Sequence, residues 1–432
     1  MERIRPRRRA ALLVAAAAAL VAAGCTAEKK DDAKASGAPA APPAAKVAPG
    51  VTDDAIKIGV VYPDLSSVKQ FMKIDHGDYE AAYKAVIGRI NDAGGINGRK
   101  IVPVFGAVNV ASPAAAQETC VKLTQDEKVF AVVGTLNANE PLCYAQTNKT
   151  AVVGGPLTAK NYAEAQAPWF ATERGGDEVG DSVDLFTANN ALAGKKVAVI
   201  GVVNEQSLVN EIVVPSLQKQ GVTPVETAIM DASFRDPAAV SQQLGVFIQK
   251  FQASGADTVV VVGGMGGEFP KQLEKTSYRP RLLFTGFNQA ATYTGDAAAH
   301  DFDGVLKDAA ALTAATKWDE PTNQACLTDI ETRVPELKGK LTVDPATMPA
   351  GEPTPQTSAG SACLYLTLFQ AIADKAGKDL TYESFQNAGF TLGPLQLPGF
   401  VDKADYTRQT PHGAIPMHLA RYSPQQKKFV LP

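Results

Sequence analysis

Apolar positions along this chain change their period in a regular way. Tyr79, Tyr83, Val86, Ile87 and Ile90 recur at helical spacing on one face, with Asp78 placed to cap the first turn and Gly94 to stop the last. β-rich runs bracket that helix: Ile56 to Tyr62 before it, and Lys100 to Phe105 after the tight turn Asn97-Gly98. Strand, helix, strand in this order builds a parallel sheet through a right-handed crossover. The alternation continues with predicted helices from Pro113 to Thr124 and Pro141 to Asn148, and strands from Val129 to Thr135, Ala151 to Gly154 and Trp169 to Thr172. A second round predicts helices from Asp181 to Asn190, Leu208 to Gln220, Pro237 to Ser254 and Phe269 to Thr276. Its strands run from Lys196 to Val203, Val222 to Ile229, Thr258 to Val262 and Arg281 to Thr285. Pro215 should kink its helix, because it lacks a backbone donor and crowds the preceding turn. Beyond Gly286 the regularity fades. Helices are predicted from Asn323 to Val334, Ser358 to Ala376 and Tyr382 to Ala388, and strands from His418 to Tyr422 and Lys428 to Leu431. The proline-rich stretch from Val343 to Pro355 reads as a surface excursion.

The N-terminal pattern is different. Arg3, Arg5, Arg7, Arg8 and Arg9 precede an apolar run from Ala10 to Ala23, which has the charge and length of a secretory signal and is too short to remain as a membrane span. It ends in Ala22-Ala23-Gly24-Cys25, which resembles a lipobox with Ala22 in place of the usual leucine, so Cys25 is expected to be acylated. The alternative is an ordinary signal cleaved nearby. One acyl chain binds a membrane only marginally, so stable anchoring needs a second. Residues 26–50 are Ala, Pro, Lys and Asp with little to bury and read as a disordered tether.

The remainder holds about two domains by size. With 42 Lys and Arg against 45 Asp and Glu, a net charge of −3 gives no hint of a nucleic-acid partner. Apart from Cys25, the cysteines are Cys120, Cys143, Cys326 and Cys363, with no Cys-x-x-Cys. An even set in an exported chain favours two disulfides over metal or redox chemistry. His76, His300, His412 and His418 show no metal-ligand spacing, and no Gly-x-Ser-x-Gly is present, so neither a metal site, a cofactor nor an enzyme is expected.

Four stretches carry a resemblance: Ile56 to Val61; His76-Gly77-Asp78; Ile90-Asn91-Asp92-Ala93-Gly94-Gly95-Ile96-Asn97-Gly98-Arg99-Lys100; and Val129 to Gly134. Together they are similar to the branched-chain amino acid binding proteins, type I periplasmic binding proteins that serve ATP-driven importers. The resemblance implies two doubly wound parallel-sheet α/β lobes joined by a multi-strand hinge and closing on a small ligand that is not processed. It implies lobe I from 51–174 with about 312–390, lobe II from 175–305 with about 391–432, and a lipid-anchored extracytoplasmic monomer that meets ABC permease subunits. Three places depart from the pattern. Pro63 to Ser67 replaces Pro-Leu-Ser-Gly, Gln206 stands where relatives carry tyrosine, and Cys143 lies several residues past Gly134. Four cysteines allow three pairings; Cys120 with Cys143 and Cys326 with Cys363 are expected, because each pair falls on adjacent helices of one lobe.

Ligands of such sheets sit beyond the carboxyl ends of the strands. Thr135 and Asn137, with Gly155 and Thr158, are the first-lobe candidates for holding a carboxylate, and Gln206 and Glu268 the second-lobe candidates for an ammonium or amide. Glu268 stands where the resemblance places a glutamate for the ligand ammonium; the plainer alternative is an acid serving its helix dipole. Gly264-Met265-Gly266 begins a dinucleotide-type glycine motif, but Phe269 stands at the third glycine. An amino acid is the first ligand expected, then a short amide or urea-like solute, then a small aromatic acid. A sensor domain of the same fold is the alternative function.

Overall fold

The computed structural model describes residues 48–431 except 70–73, 113, 297, 299, 346–347 and 349–351. The signal segment, Cys25, the tether up to 47, Pro113 and Pro349 lie outside the described residues.

Two separate sheets carry the fold. In the first, β1 (Ala55–Asp64), β2 (Lys100–Asn109), β3 (Ala131–Gly134), β4 (Ala151–Gly154) and β5 (Trp169–Phe170) lie in the order β2-β1-β3-β4-β5, all parallel. The second is built from β6 (Val197–Val202), β7 (Glu226–Met230), β8 (Thr258–Val261), β9 (Arg281–Phe284) and β10 (Ala310–Ala314). A small hairpin, β11 (Gly393–Leu395) with β12 (Ala404–Tyr406), follows. Antiparallel β13 (Met417–Ser423) and β14 (Lys428–Val430) then complete the second sheet, in the order β14-β13-β10-β9-β8-β6-β7. Every residue of β3, β4, β6 and β8 is buried, as expected of parallel strands covered on both faces. This is the α/β architecture of two parallel-dominated lobes anticipated from the sequence.

The covering helices of the first half are α1 (Tyr79–Asp92), α2 (Ala115–Val121), α3 (Glu140–Leu142), α4 (Ala159–Glu164), α5 (Glu178–Ala188), α6 (Val214–Lys219) and α7 (Pro237–Ala253). Then come α8 (Met265–Glu274), α9 (Phe287–Thr294), α10 (Phe302–Val305), α11 (Pro321–Arg333), α12 (Gln356–Ala376) and α13 (Tyr382–Phe390). Helix α1 follows its sequence signals: Asp78 Oδ1 accepts from the Ala81 N–H at 3.0 Å, and the five apolar residues of the expected face are buried. Three helices widen into π turns, at Lys122–Asp126 after α2, Cys143–Thr147 after α3 and Leu208–Val213 before α6. Pro215 follows closely on the π turn Leu208–Val213, a loosened ladder that accommodates its missing donor within one continuous helical run. Helices α4, α9 and α10 and strand β10 were not anticipated. β10 reads Ala-Ala-Leu-Thr-Ala, which has little β-branched character and no alternation to give it away.

Two glycines bring three strand ends together. Gly134 (φ 136°) and Gly154 (φ 128°) end β3 and β4 side by side. A Cβ on Gly134 would stand 2.2 Å from the Val61 carbonyl oxygen, and one on Gly154 2.2 Å from that of Gly134. Only glycine fits there.

The first lobe's core gathers β1, β3 and β4 with α1, α11, α12 and α13, and also buries Leu397, Ala404 and Tyr406. The second packs β6, β8 and β9 against α7, α8 and α9. Between them the chain crosses three times: after β5, between β10 and α11, and between β12 and β13. The crossings hold one another. The Ala171 N–H donates to the Pro411 carbonyl at 3.1 Å, and the Tyr406 hydroxyl donates to the Ala171 carbonyl at 3.0 Å. Ala314 pairs with Met417, and the Val401 N–H donates to the Ala315 carbonyl at 2.9 Å.

Both expected disulfides are present, Cys120 to Cys143 and Cys326 to Cys363. The second ties α11 to α12. Replacing Cys120 and Cys143 together by alanine, which opens a loop with a sequence separation of 23, is expected to cost about 3 kcal/mol on the chain-entropy account. Calorimetric unfolding of the double variant against the parent measures it.

Candidate functional site

In each sheet the order in which strands are added reverses once, between β1 and β3 in the first and between β6 and β8 in the second. Loops beyond these strand ends are the natural ligand positions. Thr135 follows β3 and donates its hydroxyl to Ser361 Oγ on α12 at 3.1 Å. Asn137 is exposed, and its backbone N–H donates to Glu140 Oε2 at 3.0 Å. Gly155 is buried with φ 70°, so close under Pro141 that a Cβ would come within 2.6 Å of its ring. Thr158 caps α4, accepting from the Asn161 N–H at 3.1 Å. In the second lobe Gln206 is exposed, while its neighbour Glu205 reaches across to accept from the Gly264 N–H at 2.8 Å. Glu268 pairs with Lys271 at 3.4 Å, and Lys271 also pairs with Asp296 at 2.8 Å.

None of those six residues lines a cavity of about 1540 Å³ that lies against the crossings. Residues of all three crossings line it, and Tyr365 of α12 and the loop from Thr285 to Gln289 close it from the two lobes. Its apolar wall includes Leu312, Leu364, Phe400 and Ile415. The first-lobe loops adjoin it. The Leu157 N–H donates to the Glu173 carbonyl at 3.2 Å, and a Cβ on Gly154 would lie 3.3 Å from the Tyr365 ring.

The polar wall is acidic. Glu178 accepts from the Arg174 backbone N–H at 2.6 Å, and the Arg174 guanidinium pairs with Asp181. Burial, reinforced by Glu173 and Asp181, raises the Glu178 carboxyl from 4.5 to about 7. Burial by its neighbours also raises Glu173, although the residue itself is exposed. His412, on the third crossing, is lowered to about 4, first by burial and then by the Arg174 charge, so it is neutral at pH 7. Gln289 Oε1 is buried without a hydrogen-bond partner. No motif announced this site. The one available signal was four acids in nine residues, Glu173, Asp177, Glu178 and Asp181, placed around Gly175-Gly176 at the end of a predicted strand.

The family model for periplasmic binding proteins matches residues 55–427. The chain belongs to that family. Among solved structures of this fold, an ABC transporter substrate-binding protein from Desulfitobacterium hafniense in complex with Leu is 15% identical, with a TM-score of 0.58 over 88% of this chain and 100% of its own. A solute-binding protein from R. palustris in complex with 4-hydroxybenzoate is 14% identical, with a TM-score of 0.58 over 88% and 96%. A fatty acid ABC transporter substrate-binding protein from Thermomonospora curvata is 14% identical, with a TM-score of 0.54 over 90% and 94%. None of the curated proteins matches. Family members are binding proteins, and their two lobes and interlobe cleft are the features found here.

Because the Glu178 carboxyl is raised in the folded state, its contribution favours folding below pH 4.5 and is lost as pH rises through about 7. Glu178→Gln keeps an acceptor for the Arg174 N–H and carries no charge. It is expected to raise Tm at pH 7.5, to leave Tm at pH 4 nearly unchanged, and to flatten the slope between. Thermal melts at a series of pH values check this.

Proposed function

We propose that this chain is the extracytoplasmic solute receptor of an ABC importer, taking an amino acid or similar small polar solute between two closing lobes. Family membership supplies the class, and the observation that carries the rest is the cavity walled by both lobes and all three crossings. A solute touching both walls only in the closed form binds that form better, which is how binding can shift the lobes. Lobe I is proposed to comprise 51–174 and about 312–390 and lobe II 175–305 and about 391–432, except that the last segment up to Tyr406 goes with lobe I, because Leu397, Ala404 and Tyr406 are buried in its core. Thr135, Asn137, Gly155, Thr158, Gln206 and Glu268 remain proposed contacts or supports of contacts. The protein neither transforms its ligand nor binds nucleic acid in this reading, and it works as a monomer beside its permease.

A library of amino acids, amides, ureas and aromatic acids tests the proposal through thermal shift. A true ligand at one hundred times its Kd stabilises by about 2.7 kcal/mol, which raises Tm by roughly 3 °C or more. Small-angle scattering is expected to show a smaller radius of gyration with that ligand. No shift and no contraction with any solute would remove the receptor reading.

Anchoring is the second part of the proposal. Acylation at Cys25, with the tether 26–50, would hold the receptor at the membrane's outer face. Cys25→Ala is expected to leave the membrane fraction or to remain unprocessed. A variant retained in the membrane and normally processed speaks against a lipid anchor.

A further inference from the structure

Three observations bear on the charge of the solute. First, four carboxylates, Glu173, Glu178, Asp181 and Asp184, and two cations, Arg174 and Lys428, line the cavity. Asp181 is engaged by Arg174, and Asp184 accepts from the Gln220 amide at 2.7 Å. Glu178 has only a backbone N–H, Glu173 has neither a hydrogen bond nor an ion pair, and Lys428 is exposed on the edge strand β14. A carboxylate held as Glu178 is, in enclosed surroundings with one backbone donor, is unfavourable in its charged form until a cation meets it. Second, Gln289 Oε1, in the opposite wall, is out of reach of water and lacks a donor. A buried acceptor without a donor is rare, and its side chain would have to turn into the cavity before a ligand N–H could reach it. Third, the N-terminus of α8, where a solute carboxylate would be expected to bind, is occupied by the chain's own Glu205 at the Gly264 N–H. Gly263 confirms how closely that side chain is seated: a Cβ there would lie 1.8 Å from Glu205 Oε2.

We infer that the interlobe site selects a solute bearing an ammonium or guanidinium group on a partly apolar body, with Glu173 and Glu178 receiving the cation and Glu205 closing α8 to carboxylates. This rests on the receptor reading and narrows it. The apolar wall from Leu312 to Phe400 takes the body and the acids of the first crossing take the head. Glu178 faces Arg174, Glu173 and Asp181 on its own segment; His412 from the third crossing lies near Arg174, and Tyr365 from α12 near Glu173. With Arg174 committed to Asp181 and His412 neutral, the group that changes charge around neutrality is Glu178. A cation arriving below pH 7 displaces its proton, so affinity climbs with pH.

Titration calorimetry of the mature protein with hexylamine, L-arginine, hexanoate and L-glutamate separates the possibilities. Hexylamine and L-arginine are expected to bind at least ~10-fold more tightly than the two acids, and hexylamine to gain roughly tenfold between pH 5.5 and 7.5 as Glu178 ionises. In Glu173→Gln/Glu178→Gln the preference for amines and its pH dependence disappear; if the double variant does not fold, the two single variants carry the comparison. Glu205→Ala is expected to gain hexanoate binding at the freed α8 terminus. Tighter binding of hexanoate or L-glutamate than of the amines, with lobe contraction, overturns the charge selection and leaves the receptor reading standing. An undiminished preference for amines in the variants also overturns it. Absence of heat and of contraction with every solute removes the receptor reading and this inference with it.

Discussion

A polypeptide that passes between two sheets exposes backbone that neither sheet can satisfy, and passing three times triples that demand. Here the crossings satisfy each other. Ala171 uses both of its backbone groups, donating to Pro411 and accepting from the Tyr406 hydroxyl, and β10 pairs with β13 down to Ala314 and Met417. Tyr406 is itself buried in the first core with its ring near Phe170, so the hydrogen bond that fixes the first crossing is anchored in packing. The cavity lies against this strip, so its polar side chains stand on backbone that is already committed.

Putting the acids on a crossing has an energetic effect that a rigid strand end would not have. Glu173 and Glu178 stand on the segment that leads from β5 into α5, so the charge they carry and the path of the chain between lobes are coupled. Without a counter-charge the segment holds carboxylates that favour the protonated form. Pairing one of them with a cation changes the segment's electrostatic energy at the place where the lobes are joined. On the proposed reading, recognition and lobe movement would share the same residues.

Much of the architecture was legible because the sequence states it locally. The face of α1, its Asp78 cap and the Asn97-Gly98 turn are short-range patterns, and the all-apolar runs of β3, β4 and β6 announce strands buried on both sides. The disulfides followed once the order of elements was known. What escaped depended on long-range context. β10 is alanine-rich and becomes a strand only because β9 and β13 flank it. The π turns are set by how helices end against the sheet, which side-chain periodicity does not encode. The cavity is assembled from residues as far apart as Glu173, Tyr365 and Ile415, none of which forms a motif with the others. Sequence patterns pointed instead to the strand-end loops, where Thr135 is bonded to Ser361 and Glu268 to Lys271.

The first core also sets a timetable for biogenesis. Its sheet is made from residues 55–170, but the helices that cover one face of it, α11, α12 and α13, span 321–390 and leave the ribosome only after every strand of the second sheet up to β10. The lobe begun first is therefore finished late. Through that interval Val60, Val133 and Val153 are covered on that face by α1 alone, and the remaining contacts that bury them are of high sequence separation and slow to find. An unfolded, exported chain is thus most prone to aggregation between the appearance of β4 and the arrival of α12, and factors that shield nascent chains would matter most in that window.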